Sequence, residues 1–195
     1  RARQYAPDLS DDTLVRALEA EANDASSPLP LRMQSLMISA GMDSSFRRTE
    51  DALQKYQLLA NYHLSMGELP RAALAISGMG EAYALAGKAK EARAYFERAL
   101  TPALEAKDLP SMISITFNLA RLHQGQSDWH TASEYYSALS ALARASLNAA
   151  LQVVCHEQHG AVLQGQGKHA EALEQWRAGV TLTQGMGMQD QQLGL

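Results

Sequence analysis

Cysteine occurs once in these 195 residues, at Cys155 within a helical apolar run, so an internal disulfide is excluded and a buried thiol is the plain reading. That usage fits a reducing compartment, and a cytoplasmic location is expected. No apolar run approaches the roughly 18 residues of a membrane span, and the start carries no signal peptide, so no membrane partner is expected. Basic residues are scattered singly or in pairs such as Arg47-Arg48, and the formal charge is −4, which leaves no electrostatic footprint for nucleic acid. There is also no phosphate loop, nucleophile elbow or pair of catalytic carboxylates, so an enzyme is not expected. Aromatics are scarce at 6%, and no strand-like alternation persists. Glycine and proline fall at intervals instead of in clusters, which suits an all-α chain with short connections.

What the sequence does contain is a forty-residue period. Leu-Pro recurs at Leu29-Pro30, Leu69-Pro70 and Leu109-Pro110. A second column is small, Ala52, Ala92, Ala132 and Ala172, and four residues after each lies an aromatic, Tyr56, Phe96, Tyr136 and Trp176. A third runs Ala40, Gly80, Ala120 and Gly160. Self-similarity at a fixed interval is the signature of stacked repeats. Small residues let two antiparallel helices approach closely, and the aromatic one turn later fills the space beside them.

Turn signals at about twenty-residue spacing divide each repeat into helices A and B, about nine helices in all. Proline at 30, 70 and 110 is tolerated in the first turn, where its missing N–H has no helical partner, and Asn148 can cap the fourth helix A instead. The A helices are expected at about 30–42, 70–86, 110–124 and 149–164, and the B helices at about 47–65, 89–106, 129–145 and 169–184. The A-to-B turns are expected at Asp43-Ser44-Ser45, Gly87-Lys88, Gly125 to Asp128 and Gly165 to Gly167. The domain reading is residues 1–28 as a capping helix or degenerate repeat, with Ser10 or Asp11 as its N-cap, then repeats at 29–68, 69–108, 109–148 and 149–188. Residues 189–195 read as the start of a further helix capped by Asp190 and cut short, and the absence of an initial methionine suggests a stretch of a longer array.

The second repeat reads Ile76-x-x-Met79-Gly80-x-x-Tyr83, then Ala92-x-x-x-Phe96, and this resembles the tetratricopeptide repeat pattern W-x-x-L-G-x-x-Y followed by A-x-x-x-F. The resemblance spans roughly Leu29 to Gln184 in four copies, with a period of 40 where about 34 is usual, and so is similar to long-helix arrays such as those of kinesin light chains. It implies a right-handed superhelical solenoid of antiparallel helix pairs, with Ala40, Gly80, Tyr83, Ala120, Gly160 and the small and aromatic columns as its structural core. It also implies a concave face lined by A helices, whose ligand-gripping positions map here to Met37, Ser77, Glu81, Phe117, Asn118, Arg121, Gln124, Glu157, Gln158 and Gln164. Neighbouring positions in the same register include Gln34, Ile38, Leu74 and Gly78.

Phe117, Asn118 and Arg121 share one helical face and supply an aromatic anchor, an amide and a charge; Gln158 repeats the amide forty residues on. Met33, Met37 and Met42 on the first A helix could form an adaptable surface, although methionines at a 3.6 period are more often packed against the neighbouring helix. Cys155, His156 and His159 resemble a metal site only superficially, because both histidines occupy repeat core positions; neither metal nor cofactor is expected. Asp51 and Lys55 at i, i+4 read as a solvated face. The expected function is non-enzymatic binding of a peptide or helix of another protein in the concave groove. The alternative is a ligand- or peptide-sensing regulatory domain of a larger bacterial signalling or transcription-regulatory protein. Self-association through uncovered ends is also possible.

Overall fold

A computed structural model of the chain describes residues 11–193, with side chains described for residues 13–186. Among these residues the secondary structure is entirely helical: α1 (Asp11–Asn23), α2 (Leu29–Ser45), α3 (Thr49–Ser65), α4 (Leu69–Leu85), α5 (Ala89–Glu105), α6 (Leu109–Gly125), α7 (Trp129–Ala145), α8 (Ala149–Gly165) and α9 (His169–Leu193). The chain forms two compact units, Arg1–Pro102 and Ala103–Leu195. Their division falls inside α5, beside the one proline in the body of that helix. In the first unit α2 packs on α1 and α3, and α3 on α4; in the second, α7 packs on α6 and α8, and α8 on α9.

From α2 onward the helices start every twenty residues, and each helix is followed by a connector of three. All seven connectors share one geometry. The middle residue has positive φ: Arg47, Gly67, Gly87, Lys107, Ser127, Leu147 and Gly167. The N–H of the third residue reaches back to the carbonyl five residues earlier, as in Glu68 to His63 (2.8 Å) and Asn148 to Ala143 (3.1 Å), closing a Schellman turn. The same third residue begins the next helix, since its carbonyl accepts the first helical N–H, as Lys88 does from Ala92 and Lys168 from Ala172. Where that residue is Asp108, Asp128 or Asn148, its side chain also accepts from the backbone N–H three residues on.

The connectors correct two expected boundaries. The first A-to-B turn is Phe46-Arg47-Arg48 and not Asp43-Ser44-Ser45, which form the last turn of α2. Asp43 and Ser44 are buried there, Ser44 Oγ donating to the Ala40 carbonyl and Asp43 accepting from Lys55. At the other end α9 passes through Gly185 and Gly187 without a break, so Asp190 lies inside a helix and does not start one. Two glycines lower helix propensity by about 1 kcal/mol each, which is a penalty and not a stop. Asp11 is likewise within α1, and Ser10 lies outside the described residues.

The small and aromatic columns meet as the period requires. Ala52, Ala92, Ala132 and Ala172 are all buried, as are Tyr56, Phe96 and Tyr136, while Trp176 is half-buried. A Cβ on Gly80 would lie 2.6 Å from the Phe96 ring, and one on Gly78 2.5 Å from the Tyr56 ring, so both glycines are places where helix α4 touches an aromatic face. Gly160 meets the Trp176 indole in the same way, whereas Gly125 faces open space.

These contacts and connectors set the direction of three substitutions. Gly160→Ala should lose about 1–3 kcal/mol through overpacking against a rigid indole, while Gly125→Ala should gain about 0.5 kcal/mol from helix propensity. Urea unfolding of the two variants should therefore move in opposite directions, and a shared direction would be incompatible with the Gly160–Trp176 contact. Leu147, 89% exposed, holds φ of 53° with no packing in return. Leu147→Gly should raise stability by about 0.5–1 kcal/mol, the relief of the left-handed penalty less the greater entropy of unfolded glycine; an unchanged or lower urea midpoint would contradict this.

Candidate functional site

Helix α2 is turned inside out. It buries Ser35, Ser39, Asp43 and Ser44 beside the small Ala40, while Leu29, Leu31 and Ile38 stand exposed, Ile38 at 47%. Forty residues on, α4 shows the ordinary arrangement, with Ala75 and Met79 buried where α2 has Ser35 and Ser39. Burying hydroxyls and a carboxylate while leaving large apolar groups in water is doubly unfavourable for the fold alone.

The polar interior of α2 is held by charges from three helices. Lys55 Nζ of α3 donates to Asp43 Oδ2 and to Glu19 Oε1 of α1, each at 2.5 Å, and Arg48 Nη1 lies 3.7 Å from Asp43 Oδ1. Asp43 is only 1% exposed. Burial pulls the Lys55 ammonium down, yet the Asp43 and Glu19 carboxylates more than offset this and hold its pKa above the ordinary lysine value. Lys55 therefore does not belong to a solvated face, as its i, i+4 relation to Asp51 suggests. Ser39 Oγ is buried with no protein partner.

The outward apolar face of α2 forms one wall of a groove of about 400 Å³ whose other wall is the N-terminal half of α4. Leu29, Met33, Met37 and Ile38 face Leu74, itself 50% exposed, with Tyr62 and His63 at the end of α3 between them. At one end Glu68 Oε2 accepts from His63 Nδ1 (2.7 Å) and Arg71 Nη1 (3.1 Å). The His63 bond, then Arg71, holds the Glu68 carboxyl below its ordinary range. Four connectors carry such a contact between the third-last residue of one helix and the cap of the next: Asp43 with Arg48, His63 with Glu68, Lys88 over the Tyr83 ring at 5.9 Å, and His123 with Asp128 at 2.9 Å.

In the second unit Phe117 is half-buried against the core of Tyr136, Leu139, Cys155 and Val162, with the Arg121 guanidinium 5.8 Å from its ring centre. Tyr136 donates to Gln124 Oε1 at 2.7 Å, and burial pushes its pKa to about 12. Cys155 is buried and its thiol is pushed up to about 11 by that burial, the reverse of a reactive cysteine. His159 Nε2 pairs with Ser133 Oγ of α7 at 2.8 Å, whereas His156 Nδ1 pairs with Gln175 Oε1 of α9 at 2.9 Å. Cys155, His156 and His159 thus serve different neighbours and do not converge.

Among solved structures the chain is similar to BtubC (BKLC) from P. vanneervenii, at 16% identity and TM-score 0.72, covering 91% of this chain and 73% of that one. It is also similar to a putative kinesin light chain with nearly identical TPR-like repeats from Podosopora anserina, at 20% identity and TM-score 0.65, with 89% and 87% covered. A third is MamA, at 14% identity and TM-score 0.58, with 91% and 89% covered. The chain has a tetratricopeptide-like fold. No protein-family model and no curated protein sequence matches it.

In the register of that fold the core residues lie where the pattern requires: Ala40, Gly80, Ala120 and Gly160 are buried, and Tyr83 is half-buried, stacked on Tyr95 at 5.3 Å. The positions that the family resemblance assigns to ligand contact divide. Met37 lines the groove; Glu81, Arg121, Glu157 and Gln164 are exposed; Phe117, Asn118 and Gln158 are half-buried. Ser77 is not available to a partner, because it is 2% exposed on the close-packed small face of α4, as is its neighbour Gly78 beneath Tyr56. Gln124 supports Tyr136 from within the fold. Leu29, Tyr62, Glu68 and Arg71 line the groove without any sequence signal of binding, except that Leu29 belongs to one Leu-Pro landmark and Glu68 and Arg71 flank the next.

His159 also makes the second unit acid-sensitive. Burial, and then the nearby His156, lowers its pKa below the ordinary 6.5, so the fold favours the neutral ring. The unfolded chain binds the proton more readily, so this contribution is complete above pH 6.5 and is lost as pH falls through the folded value. His159→Gln should flatten the fall in urea midpoint between about pH 7.5 and 5.5; an equally steep fall in the variant would assign the acid loss elsewhere.

Proposed function

We propose that this chain is a non-enzymatic, cytoplasmic protein-interaction module, which takes up a peptide or helix of another protein along its A-helix faces. The helix pairs 29–68, 69–108, 109–148 and 149–188 would be its repeats, with residues 1–28 as an N-terminal cap. The observation that carries the reading is the inversion of α2, in which Leu29, Met33, Met37 and Ile38 face a groove while Ser35, Ser39, Asp43 and Ser44 fill the interior. Exposed apolar surface rimmed by polar groups marks an interaction site, and departures from local design rules gather at functional sites. The neighbours named BtubC, kinesin light chain and MamA share the fold, which supports a scaffold and leaves the partner to chemistry. In the second unit Phe117, Asn118 and Arg121, with Glu157, Gln158 and Gln164, form a further proposed contact face.

A photo-cross-linking residue at Ile38 should capture the partner in cell lysate, while one at exposed Arg93 on α5 should not. Ile38→Asp with Leu74→Asp should reduce recovery by about ten-fold or more with the thermal midpoint held, as expected for central apolar anchors. Phe117→Ala with Arg121→Ala tests the second face. Full recovery by both folded double variants would reject binding at either place.

A further inference from the structure

The groove between α2 and α4 has a shape and chemistry that select among the two occupants just named, and on that reading of its function we infer that it takes an amphipathic α-helix whose apolar stripe ends in a carboxylate. The α2 wall runs from Leu29 to Ile38, which at 1.5 Å per residue is about 14 Å, or between two and three helical turns. An extended strand of that length would have about four residues. Most of its main-chain N–H and C=O groups would face Met33, Met37, Ile38 and Leu74, which offer nothing to bond. Of the polar lining, His63, Glu68 and Arg71 are bonded to one another at one end, which leaves only Gln34 and Tyr62, and the helical backbones of α2 and α4 are already paired internally. Unpaired amides against an apolar wall are strongly disfavoured, whereas a helix arrives with its backbone satisfied. Two methionines on one wall suit a ridge of leucine-like side chains, because an unbranched thioether adapts to the surface it meets.

Charge fixes the end of the stripe. Successive connectors reverse the chain twice between α2 and α4, so both helices begin at the same end of the groove and present the positive ends of their dipoles there. The exposed Arg71 stands at that end, and Glu68 is already engaged by both Arg71 and His63. The guanidinium has five N–H donors, and the bond to Glu68 uses one, which leaves donors for a carboxylate from the partner. A cation placed there by the partner would meet Arg71 and two helix N-termini, and the one carboxylate at that end, Glu68, is already shared between Arg71 and His63.

The test uses the full chain with 13C-methyl methionine and three synthetic peptides of about 14 residues, long enough to cover the groove. The first is a stapled helix with leucines at i, i+3 and i+7 and glutamate at one end of the stripe. The second has the same composition in alternating apolar and polar order, and the third replaces that glutamate with lysine. The stapled helix should shift the Met33 and Met37 methyls and bind about ten-fold or more tightly than the alternating peptide, a difference of about 1.4 kcal/mol. Lysine for glutamate should weaken binding about five-fold in the native chain and by clearly less in Arg71→Gln, where only the helix termini still favour the carboxylate. Equal or tighter binding of the alternating peptide at the same methyls would overturn the helix and leave the groove standing. A native chain indifferent to glutamate and lysine would overturn the role of Arg71. If no peptide moves Met33 or Met37, the groove itself falls, whatever the peptides do elsewhere.

Discussion

The structure depends on a three-residue connector whose middle residue is left-handed and whose last residue serves two helices at once. That last residue closes the Schellman turn of the preceding helix with its N–H and opens the following helix with its carbonyl, as Glu68 does between His63 and Ala72. No slack remains in such a joint. Seven repetitions of it bring residues forty apart into the same environment, so the N–H of the small column, Ala52 to Ala172, always donates the first helical bond of a B helix. The aromatic four residues later then lies one turn down on the same face. Glycine fills only three of the seven middle positions, and the other four accept a backbone penalty of about 1–2 kcal/mol each. Side-chain contacts across the joint, such as His123 with Asp128, help to hold the geometry that residue preference alone does not.

The twenty-residue joint also explains what the sequence does and does not show. Helix identity, the register of the small and aromatic columns and the caps at Asn148 and the Leu-Pro pairs were legible, because each depends on a side chain with one dominant physical role. The first connector was not, because Arg47 carries no turn signal and Asp43-Ser44-Ser45 carries a false one. Asp43 belongs inside only because Lys55, 12 residues away on α3, comes to meet it, and a long-range ion pair has no local signature. Gly185 and Gly187 mislead in the opposite direction, since a glycine is a breaker only where the chain has reason to turn.

The candidate site was legible in its location on the A helices and not in its detail. Met37, Ile38, Gln34 and Leu74 fall on the groove by register alone. Ser77 and Gly78 share that register and are buried, and at Gly78 the reason is that a residue without a side chain lets the neighbouring Tyr56 ring close over it. The same smallness that marks a position as free of bulk on one helix marks it as close-packed on another. Phe117 has a comparable ambiguity: half of it belongs to the core around Tyr136, and its outer half is held by Arg121.

The inversion of α2 and the buried charges beneath it are one fact seen from two sides. Rotating α2 to bury Leu29, Leu31 and Ile38 would remove their remaining exposure, and since each is roughly half in water the gain would be about 1 kcal/mol apiece. It would also tear Asp43 from Lys55, and breaking a buried pair costs about 3–5 kcal/mol. The two magnitudes are close, but the ion pair is directional and the apolar gain is not. Lys55 of α3 also bonds Glu19 of α1, so a rotated α2 would drop out of a link that joins three helices. The charges therefore set the rotation of α2 about its own axis, and that rotation turns Met33, Met37 and Ile38 toward the groove. A wholly apolar interior would stabilise the pair of helices at least as well. It would not specify which face of α2 stays in water, and that specification is what an interaction surface requires.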